Sequence, residues 1–349
     1  MGATGLTTPE GPDLGAYVLQ IVSRGIRFLA IEASSIGLDQ YRLDALTVHT
    51  AAFTNLGHDH LDYHHSMEAY FLAKKRLFEV DHWNLKTAVI NVNDSYGKRL
   101  VETLPPHVQI LRIGRPPDPS LDYAIELEVC KINDVRGTVK GRRLAKPLVF
   151  RLRRGGSLYA DNFLTTFAIL SEFYAPSEFQ DLIAVMEQFT GVPGRFELYE
   201  SKNGIQIVID YAHTPESLAA VLELIRRSVP TQIFLVFGCG GERDREKRPR
   251  MGSVAASMAD RIFLTDDNPR HEDPEKIIAD ILSGIPSGGV KKVEVIHDRT
   301  RAIKTALSKA SPGTVVLIAG KGHETYQIYG DEKLHHSDQE IVNQWLQIE

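Results

Sequence analysis

Short apolar runs recur along the whole chain, and amphipathic stretches separate them. Short β-branched or aliphatic runs are typical of strands buried on both faces, and the stretches between them have helical spacing. This alternation predicts βαβ units and mainly parallel sheets. The predicted strands are IRFLAIEA (26–33), VHTAAFTNL (48–56), TAVINV (87–92), IQIVIDYA (205–212), QIFLVFGCGG (232–241), RIFLTDDNPR (261–270), VEVIH (293–297) and TVVLIAGKGHE (314–324).

The same pattern divides the chain into two predicted domains. Between 121 and 152 it changes to polar, strand-like pieces, which predicts an antiparallel excursion. Gly and Pro cluster in GVPGRFE (191–197), which marks a domain boundary. We expect a mainly parallel α/β domain over 1–192 and a Rossmann-like α/β domain over 193–349, with helices near 14–23, 66–79, 162–174 and 176–188.

Composition excludes several classes of protein. The 349 residues are 43% hydrophobic and 24% charged, which is ordinary for a globular chain and argues against disorder or a coiled coil. A formal charge of -5 disfavours a nucleic-acid or anionic-membrane binder. Two cysteines, Cys130 and Cys239, cannot form a disulfide framework, and no apolar run approaches the roughly 18 residues of a membrane span. We expect a cytoplasmic protein that acts as a monomer.

Three predicted strands of the second domain end in polar, Gly-rich loops: GCGGERDR (238–245), DDNPRHED (266–273) and GKGHE (320–324). Ligands of open parallel sheets bind beyond the carboxyl ends of the strands, so we expect these loops to line one crevice. Arg243, Arg245 and Arg270 offer guanidinium groups for a carboxylate or phosphate, while Asp267 and Glu324 are able to hold an ammonium. Charges of both signs suit an amino acid. The alternative, that the turns are architecture and the arginines are solvated, is weaker for three loops than for one.

Residues 58 to 65 read His-Asp-His-Leu-Asp-Tyr-His-His and suggest a metal. One interpretation is a dinuclear hydrolase, because His58, His60 and Asp62 begin the HxHxDH pattern of the metallo-β-lactamase fold. That pattern fails at Tyr63. In a second interpretation His60 alone is a ligand, beside Glu32, and in a third the segment is a solvated loop without a metal.

Two carboxylates at predicted strand ends are informative in different degrees. Glu32 ends an apolar strand, where an unpaired carboxylate is costly, so we expect a cation or hydrogen-bond donors beside it, and as the cation Mg²⁺ fits better than a closed zinc site. Asp210 lies before a helix with Thr214 as its cap and Pro215 as its first residue, and is able to bond a ribose or a metal-bound water. As a capping motif alone this segment carries no function. Lys74 and Lys75, on an amphipathic helix, are ordinary solvated lysines on this reasoning.

Taken together, the chain resembles the Mur ligases of peptidoglycan synthesis, and within them the type that adds diaminopimelate. The resemblance runs through nearly the whole chain, and the DNPR loop is similar to the version that selects meso-diaminopimelate over lysine. It is carried by Thr7-Thr8-Pro9, IEASSIGLDQYR (31–42), FTNLGHDHLDYH (53–64), MEAYFLAKKRLF (67–78), GVPGRFE, DYAHTPESL, GCGGERDREKRP, DDNPRHEDP and GKGHETYQ.

The resemblance implies an ATP-dependent ligase that joins meso-2,6-diaminopimelate to UDP-N-acetylmuramoyl-L-alanyl-D-glutamate through an acyl phosphate. It implies Mg²⁺ ligands at Glu32 and His60 and a carbamylated lysine at Lys74, which reverses the solvated reading of that residue. It further implies contacts to the UDP-linked dipeptide from Thr7, Thr8, Ser34, Gln40 and Arg42, contacts to ATP from Asn162, Arg195 and Asp210, and a diaminopimelate pocket of Arg243, Asp267, Asn268, Pro269, Arg270, Gly320 and Glu324.

One departure from the family pattern stands out. No GxxxxGK[ST] phosphate loop occurs in the chain, and Met1 falls downstream of the place where the resemblance puts that loop and the uridine-binding domain. We therefore expect weak ATP binding and little ligase turnover from the chain as printed, because of a gene truncation or a misplaced start. The alternatives are a catalytically dead homologue that keeps the diaminopimelate pocket and the dinuclear hydrolase. A folylpolyglutamate synthase is disfavoured by the DNPR and GKGHE loops.

Overall fold

The computed structural model describes residues 6–57, 59–79, 84–228 and 232–348, which form two compact units. The first unit comprises Met1–Glu126, Gly137–Phe150 and Asp161–Ala184, and the second comprises Leu127–Arg136, Arg151–Ala160 and Val185–Glu349. The predicted limits of the two domains, 1–192 and 193–349, stay a prediction.

A six-stranded sheet with the order β1-β2-β3-β4-β5-β6 organises the first half of the chain. Its strands are β1 (Thr50–Phe53), β2 (Thr87–Asn91), β3 (Gln109–Gly114), β4 (Tyr123–Cys130), β5 (Val135–Lys140) and β6 (Leu148–Leu152). The helices are α1 (Gly11–Ser23), α2 (Ser35–Asp39), α3 (Leu61–His64), α4 (Met67–Glu79), α5 (Ser95–Val101), α6 (Gly156–Leu170) and α7 (Phe179–Met186).

The first three strands pair in parallel, with Thr50 opposite Thr87 and Thr87 opposite Gln109. β2 is apolar and almost wholly buried, as the sequence predicts for a strand inside a parallel sheet. Only four residues separate β4 from its neighbour β5, so these two strands run antiparallel, because a parallel pair needs a long crossover. The predicted antiparallel excursion is confirmed.

The predicted strand at 26–33 is wrong. The structure has neither helix nor strand there, and Phe28 is 64% exposed. β1 lies at the end of the sheet and pairs with β2, so among the described residues this segment has no strand beside it to complete a ladder. Apolar character predicts burial, but a strand forms only where a neighbouring strand satisfies its backbone. One contact covers part of the segment: the Phe28 ring meets the Phe173 ring edge-on at 5.1 Å.

The second unit is built on a sheet with the order β11-β10-β9-β12-β8-β7. Five strands run parallel, and β7 pairs antiparallel with β8 at one edge. The strands are β7 (Glu197–Glu200), β8 (Gln206–Asp210), β9 (Ile233–Phe237), β10 (Arg261–Leu264), β11 (Val293–Val295) and β12 (Val315–Ala319). The helices are α8 (Pro215–Ser228), α9 (Lys247–Met258), α10 (Pro274–Ser283), α11 (Arg299–Lys309) and α12 (Asp338–Ile348).

The strand order reverses between β9 and β12. From β9 the chain continues outward through β10 to β11 and then returns to β12, which lies between β9 and β8. Every residue of β9 and β12 is buried, which explains their unbroken apolar sequences. Open parallel sheets bind ligands beyond the carboxyl ends of their strands at such a reversal.

A small hairpin of β13 (Tyr326–Tyr329) and β14 (Glu332–His335) follows the loop after β12. Sequence reasoning did not predict this hairpin or β7. No helix in the described ranges is long and apolar enough to cross a membrane.

Candidate functional site

The loops after β9, β10 and β12 come together in the second unit, as expected from the strand order. The Gly241 N–H donates to the carbonyl of Asn268 at 2.9 Å, so the first two loops are bonded through their backbones. A Cβ at Gly241 would lie 1.8 Å from the Pro269 carbonyl oxygen, so a larger residue does not fit. Gly320 has φ +113°, a conformation that favours glycine, and a Cβ there would lie 2.8 Å from Asp267 Oδ2.

Acidic and amide groups of two loops meet around one buried lysine. Lys321 Nζ donates to Glu324 Oε2 at 2.9 Å and to Asn268 Oδ1 at 3.1 Å, and it lies 3.9 Å from Asp267 Oδ1. Asn268 Nδ2 donates to the same Glu324 oxygen at 3.0 Å. Three residues of the predicted diaminopimelate pocket are thus joined into one network.

The arginines of these loops differ in their exposure and in their bonding partners. Arg270 has φ 54° and donates from Nη1 to the Gly241 carbonyl at 2.8 Å, so its guanidinium is held at the junction of two loops. Arg243 is exposed and forms no ion pair with any described carboxylate. Arg245 pairs with Glu272 at 3.0 Å, and Glu272 also receives the buried Arg248 at 2.7 Å. Arg243 and Arg270 are therefore the better placed guanidinium groups for an anionic ligand.

The β13–β14 hairpin fixes the loop after β10 from its other side. Gln327 Nε2 donates to the carbonyls of Asp266 and Asp267 at 3.0 and 2.9 Å, and the Ile328 N–H donates to Asn268 Oδ1 at 3.0 Å. His297 bonds to Asp266 at 2.8 Å; burial opposes the protonated imidazole, but Asp266 and Glu275 prevail and raise the pKa of His297. The loop is therefore held by bonds from two further elements.

The predicted ATP residues fall in both units. Asp210, at the end of β8, accepts the N–H groups of Phe196 and Ala212 at 2.7 and 2.8 Å, and its burial raises the pKa of the carboxyl group. The Arg195 guanidinium is exposed and lies 4.7 Å from the centre of the Tyr211 ring. Asn162 is exposed on α6, in the first unit. Thr214 caps α8 as predicted, since its Oγ1 accepts the Ser217 N–H.

A second fixed turn links the GVPGRFE segment to the loop after β12. Gly194 has φ +69°, and a Cβ there would lie 2.1 Å from the His323 nitrogen. Only glycine permits this approach. The turn that carries Arg195 therefore packs directly on the GKGHE loop.

In the first unit, the residues predicted to contact the UDP-linked dipeptide cluster around Thr8. Thr8 is buried, its Oγ1 donates to the Glu32 carbonyl at 2.8 Å, and it lies 2.9 Å from Ser34 Oγ. Arg42 Nη1 donates to the Thr8 carbonyl at 3.0 Å, and Arg42 Nη2 donates to Gln40 Oε1. Thr7 is exposed beside this cluster. The structure therefore brings together Thr8, Ser34, Gln40 and Arg42.

The predicted metal residues are less tightly held. The Glu32 side chain is exposed, so the expectation of a carboxylate at a costly buried strand end is wrong. His60 is also exposed, has φ 55°, and its ring lies 5.9 Å from the Tyr70 ring. Burial lowers the pKa of the Lys74 amine, against the attraction of the Glu32 and Asp59 carboxylates. Lys74 is thus not the ordinary solvated lysine that helical spacing alone predicts.

Part of the histidine-rich segment lies among the described residues. His58 lies outside the described residues, as does the Asp62 side chain. Among the described residues, no three His, Cys, Asp or Glu side chains come together as a metal site. His64 is buried, stacks on Tyr70 at 5.2 Å and lies 2.9 Å from Ser35 Oγ, which is a packing role.

Sequence reasoning missed Lys321 and Gln327 as parts of the loop network. Lys321 lies inside the GKGHE motif, between two glycines and three residues before Glu324, and that spacing was the available signal. Gln327 carried no signal, because its role depends on a hairpin that was not predicted.

Family models and known proteins match both halves of the chain. Residues 1–130 match the model of the Mur ligase middle domain, and residues 194–322 match that of the Mur ligase glutamate ligase domain. The UDP-N-acetylmuramoyl-L-alanyl-D-glutamate–2,6-diaminopimelate ligase of Synechococcus elongatus is 42% identical over 343 residues, covering 96% of this chain and 65% of the relative. The ligase of the same name from Prochlorococcus marinus is 39% identical, covering 98% of this chain and 68% of the relative.

A solved structure of a ligase of that name is similar throughout. It has a TM-score of 0.65 and 34% identity, and the match covers 97% of this chain and 68% of that one. The chain therefore spans about two thirds of the length of the proteins it matches, 65% for the Synechococcus relative.

Proposed function

The chain belongs to the Mur ligase family, and from this premise we propose that it joins meso-2,6-diaminopimelate to UDP-N-acetylmuramoyl-L-alanyl-D-glutamate, with ATP and Mg²⁺, in cytoplasmic peptidoglycan synthesis. The observation that carries the proposal is the network of the three strand-end loops. It places two carboxylates, an amide and two available guanidinium groups within one unit. Groups of both charges are what a binding site for a diamino acid with two zwitterionic ends requires.

In this proposal the loop network orients the incoming amino acid. Asp267 and Glu324 receive an ammonium group, while Arg270 and the exposed Arg243 bind carboxylates. Asn268, Pro269 and Gly320 shape the pocket, because their backbones make the close approaches between loops. With one end of the amino acid held in this way, the amine at the other end points in a fixed direction. This orientation lowers the barrier to its attack.

The bond changes follow from the acyl-phosphate route. A D-glutamyl carboxylate oxygen takes the γ-phosphoryl group of ATP and ADP leaves. The amine nitrogen of diaminopimelate then attacks the carbonyl carbon, phosphate leaves, and the amine loses a proton. Asn162, Arg195 and Asp210 are the proposed ATP contacts; the exposed Arg195 guanidinium is free of ion pairs with described carboxylates and suits a phosphate or a base.

The first unit holds the proposed metal and dipeptide residues. Glu32, His60 and carbamylated Lys74 would hold Mg²⁺, which would screen the charge of the transferring phosphoryl group when bound. The donor set fits: burial lowers the pKa of Lys74, which shifts it toward the neutral amine that reacts with carbon dioxide, and Glu32 is an oxygen donor. Thr7, Thr8, Ser34, Gln40 and Arg42 are the proposed contacts to the UDP-linked dipeptide.

We propose that the first domain spans 1–192 and the second spans 193–349. We also propose that the enzyme is a monomer. Binding is the direct test, because the printed sequence contains no GxxxxGK[ST] motif and turnover is a separate question. Isothermal titration of the chain with meso-diaminopimelate should give saturable binding. L-Lysine, which lacks the second carboxylate, should bind at least about tenfold more weakly, because a pocket built for a polar group rejects a ligand without it.

Equal affinity for the two amino acids, or no binding of either, would overturn the proposed substrate. Turnover is then measured as phosphate release that depends on ATP, UDP-linked dipeptide and diaminopimelate together, with the tripeptide product identified by mass. Binding without turnover would support a homologue that only holds the amino acid.

A further inference from the structure

Lys321 is an unusual lysine, because it is buried completely within the loop network. Its relative exposure is 0%, whereas lysine is almost never fully buried without partners. The ammonium has two hydrogen-bond acceptors, Asn268 Oδ1 at 3.1 Å and Glu324 Oε2 at 2.9 Å. Both belong to the proposed diaminopimelate pocket.

These bonds determine which way the Asn268 amide faces. Its Oδ1 accepts from Lys321 and from the Ile328 N–H at 3.0 Å, and its Nδ2 donates to Glu324 Oε2. A flipped amide would turn its NH₂ group toward two donors and its oxygen toward a carboxylate. Lys321 is therefore one of three groups, with the Ile328 N–H and Glu324, that hold this orientation.

The same bonds determine which oxygens remain for a ligand. Glu324 Oε2 receives both Lys321 and Asn268, whereas Oε1 accepts no hydrogen bond from the described residues. The Asp267 carboxylate likewise accepts none, although Oδ1 lies 3.9 Å from the lysine ammonium. Glu324 Oε1 and the Asp267 carboxylate oxygens therefore remain as acceptors for an ammonium group.

We propose that Lys321 is a positioning residue, which holds Asn268 and Glu324 so that Glu324 Oε1 receives the ammonium group at the second zwitterionic end of the amino acid. Lys321 thereby sets the preference for a diamino acid over a monoamino acid of the same length. The inference rests on the proposed function.

A purely structural lysine would behave differently. Its loss would loosen the loops and weaken every amino-acid ligand to a similar extent. A positioning lysine affects the ligand that uses Glu324 more than the ligand that does not. Two ligands separate these roles, meso-diaminopimelate and 2-aminopimelate. The second keeps the chain length and both carboxylates but lacks the amino group that would face Glu324.

The experiment is calorimetric titration of the full 349-residue chain and its variants with both ligands. Lys321→Met keeps the aliphatic bulk and removes the charge. Its Kd for diaminopimelate should rise at least tenfold and its Kd for 2-aminopimelate less than threefold, so that the selectivity falls. The matched control is Lys333→Met: Lys333 Nζ lies 3.7 Å from the Tyr326 ring, over which Lys321 Nζ lies at 5.5 Å, and the variant should keep both Kd values within twofold.

A double variant tests the route through Glu324. In a Glu324→Gln background, Lys321→Met should raise the diaminopimelate Kd less than threefold, because its target is already altered. Equal losses for both ligands, or additive effects of the two substitutions, would overturn the positioning role. Lys321→Arg keeps the charge if Lys321→Met does not fold; its fork cannot reproduce both bonds of the ammonium, so it should lower selectivity, and unchanged selectivity would overturn the role.

The two proposals fail in distinguishable ways. If the unaltered chain binds diaminopimelate and Lys321→Met binds both ligands as the unaltered chain does, the positioning role is wrong and the proposed substrate stands. If the unaltered chain does not bind diaminopimelate, both are wrong.

Discussion

The two units present their candidate residues in contrasting ways. In the second unit the strand-end loops are joined by backbone bonds, by a buried lysine, and by glycines at which an added Cβ would lie less than 3 Å from the neighbouring loop. In the first unit the side chains of Glu32 and His60 are exposed, and Lys74 interacts with Glu32 through the attraction of opposite charges. The first arrangement is held together by the protein's own bonds, whereas the second includes exposed side chains.

The contrast follows from the local architecture. Loops at the carboxyl ends of adjacent buried strands are anchored at their bases, so their tips are held in register. Glu32 follows a segment that forms no strand, and His60 lies in a turn with a positive φ. Preorganised binding requires little ordering of side chains, and a loose site must order its residues when it binds.

The largest expected effect concerns the buried ion pair behind the loop network. Arg299 and Asp338 are both buried, joined at 2.8 Å, and Arg299 also donates to the Ala319 carbonyl next to Gly320. Arg299→Met should destabilise the second unit by about 3–5 kcal/mol, because it leaves a buried carboxylate without its cation. Hydrogen exchange of α11 and α12 should rise while that of α4 is unchanged.

Arg301→Met on the same helix is the control, since Arg301 is exposed and should change stability by less than about 0.5 kcal/mol. The pair also has a pH signature. Burial opposes ionisation, yet Arg299 and His336 hold the pKa of Asp338 well below its usual range. Its stabilisation is therefore complete above the unfolded pKa of about 3.9 and is lost as the pH falls toward the folded value. If the stability of Arg299→Met and that of the unaltered chain fell in the same way as the pH is lowered, this assignment would be contradicted.

The next effect tests whether the second unit is a pocket or only a rigid scaffold. Arg270→Lys should weaken diaminopimelate binding by about 1–3 kcal/mol, because an ammonium does not reproduce the planar fork. The melting temperature should change little, since the loop keeps its backbone bonds to Ile328 and Gly330. Unchanged affinity would remove Arg270 from the site, and a large fall in melting temperature would show that its bond to Gly241 is mainly structural.

The sequence predicted the fold of the second unit better than that of the first. The parallel strands of the second unit and the meeting of its loops followed from apolar runs that end in glycine-rich segments and alternate with helical stretches, because this alternation can be read from the local sequence. The failure at 26–33 had the opposite cause: a strand needs a neighbour, and no residue within the run reports whether a neighbour is present.

The candidate site shows the same division. Asp267, Arg270 and Glu324 were predicted from residue type and position at strand ends. Lys321 was overlooked because the burial that gives it its partners arises from the β13–β14 hairpin and the adjoining loops together. Lys74 was judged solvated from helical spacing, which does not reveal a desolvated environment.

The smallest expected effect compares the packing of the two units through glycines in helices. Gly15 lies within α1 in the first unit, and a Cβ there would meet nothing within 4 Å. Gly15→Ala should therefore stabilise that unit by about 0.5–1 kcal/mol, because alanine loses less backbone entropy on folding.

Gly252 lies within α9 in the second unit, where a Cβ would be 2.1 Å from the Ile281 carbonyl oxygen, so Gly252→Ala should be destabilising. Denaturant unfolding followed by hydrogen exchange of α1 and α9 gives both values. Opposite signs would confirm that the second unit is packed closely beyond its ligand loops, and equal signs would confine the contrast to the loops alone.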